Sequence, residues 1–267
     1  ARRRLELTES LRLGSSEVKL WQRLVREMFV PFHDGVISQF ERYEDLAELD
    51  WKAIRLKYDN IQRLDRILEA EGRSVNEYQA SKQPDVLMLF YLLSADELRD
   101  LLGDLGYTLE PEAIPRTIEY YLSRTSHGST LSALVHSWVL ARAHRDQSLE
   151  YFRLLLESDV ADVQGGTTAE GIHLAAMAGS VDLLQRCFTG LETRDGALRF
   201  NPQWPEKLGT FTCRLNFRQN DIVVRISSNL LRVSAASGEL PEIKVSCADQ
   251  WLILRPGESV EFELQPG

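Results

Sequence analysis

The 267-residue sequence predicts a mainly α-helical chain that closes with a small antiparallel β-sandwich. Three observations carry this. Apolar residues recur at helical spacing from the start of the chain to roughly Phe188. Beyond Gly190 the spacing changes to alternating apolar and polar residues in short runs. Gly, Pro, Asn and Asp bound those runs at turn positions. The domain boundary follows: residues 1–199 form the helical domain and 200–267 the sandwich.

The elements follow in order. Ser15-Ser16 with Glu17 predicts a cap for a helix over 18–29. Leu20, Trp21, Leu24, Val25 and Met28 give it one apolar stripe, and Pro31 ends it. Asp59-Asn60 caps 61–71, with Ile61, Leu64, Ile67 and Leu68 in register and Gly72 closing the helix. Lys82-Gln83-Pro84-Asp85 starts an apolar helix over 86–91. Ser94 caps 95–102, and Glu110-Pro111 opens 112–122. Ser129 opens a long helix through Leu131, Leu134, Val135, Trp138, Val139 and Ala141. Asp146 precedes 148–156, and Thr168 precedes 173–188. Short polar turns join these helices in pairs, so successive hairpins bury their stripes against one another in a solenoid or a closed ring. No strict repeat is visible, which disfavours identical stacked units. In the last part, 197–200 reads as a strand, 211–217 alternates clearly, Asn220-Asp221 turns, and 222–226 follows. Strands over 244–246, 251–254 and 260–264 complete a sandwich whose default role is a scaffold.

Composition narrows the function classes. Apolar residues at 43% and charged residues at 27% are ordinary for a soluble globular chain. A net charge of -9, with no basic stripe beyond Arg2-Arg3-Arg4, argues against nucleic acid as a partner. The longest apolar run, 86–93, is too short for a bilayer, and no signal peptide is visible, so no membrane partner is expected. Cys187, Cys213 and Cys247 match no zinc or thioredoxin spacing; no metal is expected, and a reducing, cytoplasmic compartment is. The chain opens at Ala1 without Met and in mid-pattern, so it reads as a fragment of a longer polypeptide.

An acidic chain has to build a cationic pocket from particular residues, and two loops offer them. One is Arg124-Thr125-Ser126-His127-Gly128-Ser129-Thr130; the other is Gly165-Gly166-Thr167-Thr168-Ala169-Glu170-Gly171-Ile172-His173. Both combine hydroxyls, glycine and one histidine before a helix, where free N–H groups and partial positive charge favour an anion. The plainer alternative for each is a helix cap with a hydrogen-bonded histidine. His173 in particular would sit beside Ala175 and Ala176 and need a partner. Lys82-Gln83 offers an ammonium and an amide suited to sugar hydroxyls, although taken alone it reads first as a solvated helix start. His33, His136 and His144 have no such loop.

Together the segments are more specific than apart. Lys82-Gln83-Pro84-Asp85-Val86-Leu87-Met88 and the two loops resemble the inverting disaccharide phosphorylases of glycoside hydrolase family 65, which cleave α-glucosides such as trehalose, kojibiose, maltose and nigerose. Gly35-Val36-Ile37-Ser38-Gln39-Phe40-Glu41 with Asp50-Trp51 is similar to the trehalose and kojibiose enzymes. Asn201-Pro202-Gln203-Trp204-Pro205 is similar to the family's approach to a C-terminal β-domain.

The resemblance implies the later part of an (α/α)6 barrel followed by the sandwich. It implies that Lys82 and Gln83 contact the glucosyl unit, and that Ser126, His127, Gly128, Ser129 and His173 line inorganic phosphate, with Arg124 and Thr168 as supports. The co-substrate would be inorganic phosphate with no other cofactor, the substrate an α-glucosyl disaccharide, and the assembly a homodimer. Phosphate is already anionic near neutral pH and needs no base, so an anion seat replaces the second carboxylate of a hydrolase. No carboxylate lies in Ser126-His127-Gly128-Ser129, which favours phosphorolysis; Glu170, the nearest alternative base, reads as a helix-start or supporting residue. A hydrolase of the same family and a non-catalytic carbohydrate-binding scaffold are the alternatives. The family's general acid, a glutamate, falls upstream of the position matching Ala1, so the missing N-terminal portion is an expected partner. These residues alone should expose an apolar face and self-associate. Gel filtration tests this, and a monomer that unfolds cooperatively would count against it.

Overall fold

The computed structural model describes residues 10–83, 85–162, 169, 171–238 and 241–264. The chain divides into two compact units, Ala1–Ser129 and Thr130–Gly267. A mainly helical region is followed by two β-sheets, as expected. No described helix is long and apolar enough to cross a membrane.

In the first unit, helix α1 (Ser15–Glu27) forms where its stripe predicts. Its N-cap is Gly14 rather than a serine, it stops short of Pro31, and none of its residues is buried. A hairpin follows that the sequence reading lacked, β1 (Phe32–His33) and β2 (Val36–Ile37). Its two turn residues, Asp34 and Gly35, are both left-handed, the geometry that matches strand twist in a tight hairpin. Helix α2 (Trp51–Lys57) is capped by Asp50, which accepts from the Ala53 N–H at 2.9 Å. Helix α3 (Leu64–Ala70) starts later than the spacing suggests, because Asn60 turns the chain by accepting from the Gln62 N–H at 2.9 Å.

Gly72 closes α3 as expected. With φ at +72°, it lets Arg73 N–H reach the Leu68 carbonyl at 2.8 Å and its own N–H reach Glu69 at 3.0 Å. Leu49, Ile54, Leu64 and Leu68 then bury together beneath Tyr58, Val75 and Tyr78. Each such leucine contributes about 2 kcal/mol of apolar burial. Helices α4 (Asp85–Leu92) and α5 (Ala95–Asp104) meet at Ser94, which forms a reciprocal cap with Glu97. Helix α6 (Ala113–Ser123) pins the hairpin. Thr117 Oγ1 accepts from Ile37 N–H at 3.3 Å, and the Tyr121 hydroxyl donates to the Ile37 carbonyl at 2.9 Å.

In the second unit, α7 (Thr130–Leu140) and α8 (Arg145–Glu157) form a helical hairpin. Ser137 and Ser148 lock it by donating to each other's carbonyls at 2.9 and 2.7 Å. The predicted single helix over 173–188 divides into α9 (Leu174–Asp182) and one wider π-helical turn, Leu183–Cys187. In that turn Phe188 N–H reaches back to the Leu183 carbonyl at 2.9 Å. Phe188 meets Phe152 edge-on at 5.8 Å and Trp204 at 6.5 Å, and Trp204 stacks on Phe211 at 5.6 Å. This aromatic chain ties the helices to the sheets. Cys187, Cys213 and Cys247 are free, and burial raises all three thiols, Cys187 to about 12.

One sheet comprises β3 (Glu192–Arg194), β4 (Ala197–Phe200), β8 (Ile243–Cys247) and β9 (Gln250–Leu254), so it takes strands from before residue 200. The other holds β5 (Phe211–Phe217), β6 (Asn220–Ile226), β7 (Leu230–Ala235) and β10 (Ser259–Glu263), in the order β10-β7-β6-β5. Every pairing is antiparallel except β4 with β8, which is parallel. The whole of β5 to β7 lies between those two strands, which leaves enough chain to return in the same direction. The β5–β6 turn falls on Arg218-Gln219, both left-handed, rather than on Asn220-Asp221.

Two outcomes follow. S94A should lower stability by about 1 kcal/mol in urea titrations, since it removes one half of a reciprocal cap. His136 is fully buried in α7, and burial pushes its imidazole down to about 4. The folded state therefore disfavours its proton: the stability tied to the neutral ring is complete above pH 6.5 and is lost as pH falls toward 4. H136Q should remove about 2–3 kcal/mol of that acid-induced loss, measured as the change in unfolding free energy between neutral pH and pH near 4.5.

Candidate functional site

The first unit brings Lys82, Gln83 and the Ser126–Ser129 segment together through main-chain bonds. Ser81 and Thr125 form an isolated parallel bridge. Ser81 N–H donates to the Arg124 carbonyl and Ser126 N–H to the Ser81 carbonyl, both at 2.9 Å; Gly128 N–H donates to the Lys82 carbonyl at 3.1 Å. Side chains complete the seam. Thr125, fully buried, donates to the Tyr121 carbonyl at 2.7 Å and lies 3.2 Å from the Ser81 hydroxyl. Ser129 Oγ donates to Gln83 Oε1 at 2.7 Å.

His127 is left-handed at φ 56°, which a non-glycine residue adopts at a cost of about 1 kcal/mol. That turn reverses the chain so that Gly128 can reach Lys82. Glycine is required next for lack of space. A Cβ at Gly128 would drive into the Gln62 carbonyl oxygen and lie 2.8 Å from Lys82 Cγ. The immediate demand on this glycine is the close passage of Gln62 and Lys82.

Beside the seam opens a cavity of about 540 Å³, lined in part by Ser81, Lys82, Gln83 and Ser126 and by Gln39, Tyr43 and Gln62. A hexose fits such a volume, and mixed aromatic and amide walls suit one. The sequence assigns no role to Gln39, Tyr43 or Gln62, and only Gln39 lies in one of the segments that carry the family resemblance. Arg124 is held elsewhere: its guanidinium pairs with Glu48 at 2.7 Å and stacks 3.9 Å over the Tyr120 ring.

His173 belongs to the second unit, where it is the N-cap residue of α9. The partner it was expected to need is Asp159. His173 Nδ1 lies 2.6 Å from Asp159 Oδ1, and the His173 main-chain N–H donates to both carboxylate oxygens at 3.2 and 3.1 Å. The hydrogen bond to His173 holds the Asp159 carboxyl below the usual carboxylate range. Thr168 and Glu170 lie outside the described residues, as do Gly165, Gly166 and Thr167 of the same motif.

Comparison with known proteins identifies the family. Residues 1–182 match the glycosyl hydrolase family 65 central catalytic domain, and residues 191–254 match the C-terminal domain of that family. An uncharacterized glycosyl hydrolase of Mycobacterium tuberculosis is 59% identical over 97% of this chain and 19% of its own length. The trehalose 6-phosphate phosphorylase of Lactococcus lactis is 32% identical over 91% of this chain and 32% of its own length. A solved structure, provisionally described as a kojibiose phosphorylase from the human microbiome, shares the fold. It superposes with a TM-score of 0.71 over 98% of this chain and 36% of its own, at 17% identity. The chain therefore spans between 19% and 32% of the curated relatives' length.

The packing at Gly128 gives a direct test. G128A should cost about 1–3 kcal/mol in thermal or urea unfolding, because the added methyl forces Gln62 and Lys82 apart. The effect should be smaller in a G72A variant, where the residue is left-handed but nothing crowds the position.

Proposed function

Because the chain belongs to glycosyl hydrolase family 65, we propose that it supplies the glucosyl and phosphate contacts of an inverting phosphorylase. The reaction takes an α-glucosyl disaccharide, trehalose- or kojibiose-like, with inorganic phosphate to β-glucose 1-phosphate and a free sugar. One observation carries this reading: the sugar-type pair Lys82-Gln83 and the anion-type loop Ser126–Ser129 are joined by main-chain bonds at the edge of one cavity.

The chemistry suits these groups. A phosphate oxygen attacks the anomeric carbon from the face opposite the departing sugar oxygen, so the α linkage becomes a β product. The Lys82 ammonium and the Gln83 amide hold ring hydroxyls and fix the angle of attack. The N–H groups of Ser126 and Gly128 are committed to Ser81 and Lys82. The Ser129 hydroxyl donates to Gln83, so the anion displaces that bond or meets the His127 imidazole rather than those two amides. His127 supplies a polar contact to the phosphate, and His173 is assigned to phosphate as well. In this reading the leaving oxygen takes its proton from the general acid that the family resemblance implies, a glutamate. The barrel that carries it is the (α/α)6 barrel of the family.

Similarity to the trehalose 6-phosphate phosphorylase favours a second substrate, a disaccharide that already bears a 6-phosphate. The assay separates the readings. The protein as its host makes it is supplied with trehalose, kojibiose or trehalose 6-phosphate, with and without inorganic phosphate. β-Glucose 1-phosphate should form only when phosphate is present, and K82A and H127A should each lower kcat/KM by roughly 100-fold. Release of free glucose alone, at a rate indifferent to phosphate, would mean a hydrolase. Turnover of none of the three, with sugar binding intact, would favour the carbohydrate-binding scaffold.

A further inference from the structure

Asp159 sits in the turn that leaves α8. That turn is fixed by Ser158 Oγ on the Leu155 carbonyl at 2.7 Å and by Val160 and Ala161 N–H on the Glu157 carbonyl at 3.0 and 2.9 Å. Its carboxylate is only 11% exposed and is aimed at the N-cap residue of α9. There it takes the main-chain N–H and the ring Nδ1 of His173 at once. A negative charge at a helix N-terminus is favourable in its own right, but that alone does not require the ring. The same carboxylate orients the main chain and the imidazole of one residue.

We infer that Asp159 is a positioning residue for His173, holding the ring so that Nε2 is the nitrogen offered to inorganic phosphate. This rests on the reading in which His173 meets phosphate. With Nδ1–H committed to the carboxylate, the neutral ring presents only a lone pair at Nε2. That lone pair can accept from the P–OH of monohydrogen phosphate, so the ring meets the one phosphate oxygen that carries a proton. Asp159 touches neither sugar nor phosphate in this scheme. It sets the direction of the residue that does. The disaccharide contacts assigned to Lys82 and Gln83 are independent of it.

The experiment compares D159N, D159A and H173A in the full chain, with inorganic phosphate as the probe. Phosphate affinity is read by calorimetry, and the ring tautomer by long-range proton–nitrogen NMR of ¹⁵N-histidine. The wild type should carry its proton on Nδ1. D159N, which is isosteric and retains an oxygen acceptor, should keep that tautomer yet bind phosphate about tenfold more weakly. D159A should lose the tautomer preference and bind phosphate as weakly as H173A, while the KM for disaccharide in the host-made protein stays unchanged. A proton on Nε2 in the wild type, or phosphate binding by D159A at wild-type strength while H173A fails, would overturn the positioning role. Unchanged phosphate affinity in H173A would instead overturn the phosphate reading beneath it, whatever the tautomer in D159A.

Discussion

The bridge between Ser81 and Thr125 is the constraint on which the first unit's site depends. Residues 82 and 83 and residues 126 to 129 come from loops far apart in sequence. Three main-chain bonds set their register, and the buried Thr125 hydroxyl anchors the seam to the last turn of α6 through Tyr121. Tyr121 in turn holds the β1–β2 hairpin through Ile37. One continuous line of hydrogen bonds thus runs from the hairpin through α6 to the loop. A change at any point along it moves Lys82 and Ser129 together rather than separately. Main-chain seams of this kind keep their register regardless of side-chain rotamers, which is what a site needs when groups must meet a ligand within fractions of an ångström.

Much of this was legible in the sequence. Helical spacing located most of the helices, because amphipathic stripes and polar caps act within a few residues: Ser94 with Glu97, Gly72 after α3 and Pro31 after α1 are all local signals. The segments around Lys82 and Ser126 were visible as chemistry, although their union was not, because a bridge between distant residues leaves no periodic trace. Asp159 was missed for the same reason; it binds His173 across 14 positions, and nothing adjacent marks it.

The β-region shows where local rules fail. Strand β7 alternates clearly, with Leu231, Val233 and Ala235 inward, and a stricter count of that pattern would have found it. The β5–β6 turn was displaced by two residues because Asn-Asp is a stronger turn signal than Arg-Gln. In the fold, the pairing of Phe217 with Asn220 decides instead, and Arg218 and Gln219 accept left-handed backbone to satisfy it. The stripe of α1 is the opposite case, a strong signal whose residues stay exposed in the described structure.

The parallel pairing of β4 with β8 constrains how the chain can be synthesised and assembled. When β4 leaves the ribosome its free edge has no mate, and the three strands of the opposite sheet must emerge before one arrives. During that interval Leu198 and Phe200, which end up fully enclosed, stand at an open strand margin. The β5–β6–β7 meander, built from neighbouring hairpins, can zip first and offer its inner face as a template. Closure by β8 is therefore the slow, non-local step, and the interval before it is when this chain is most prone to pairing with a neighbour's edge instead of its own.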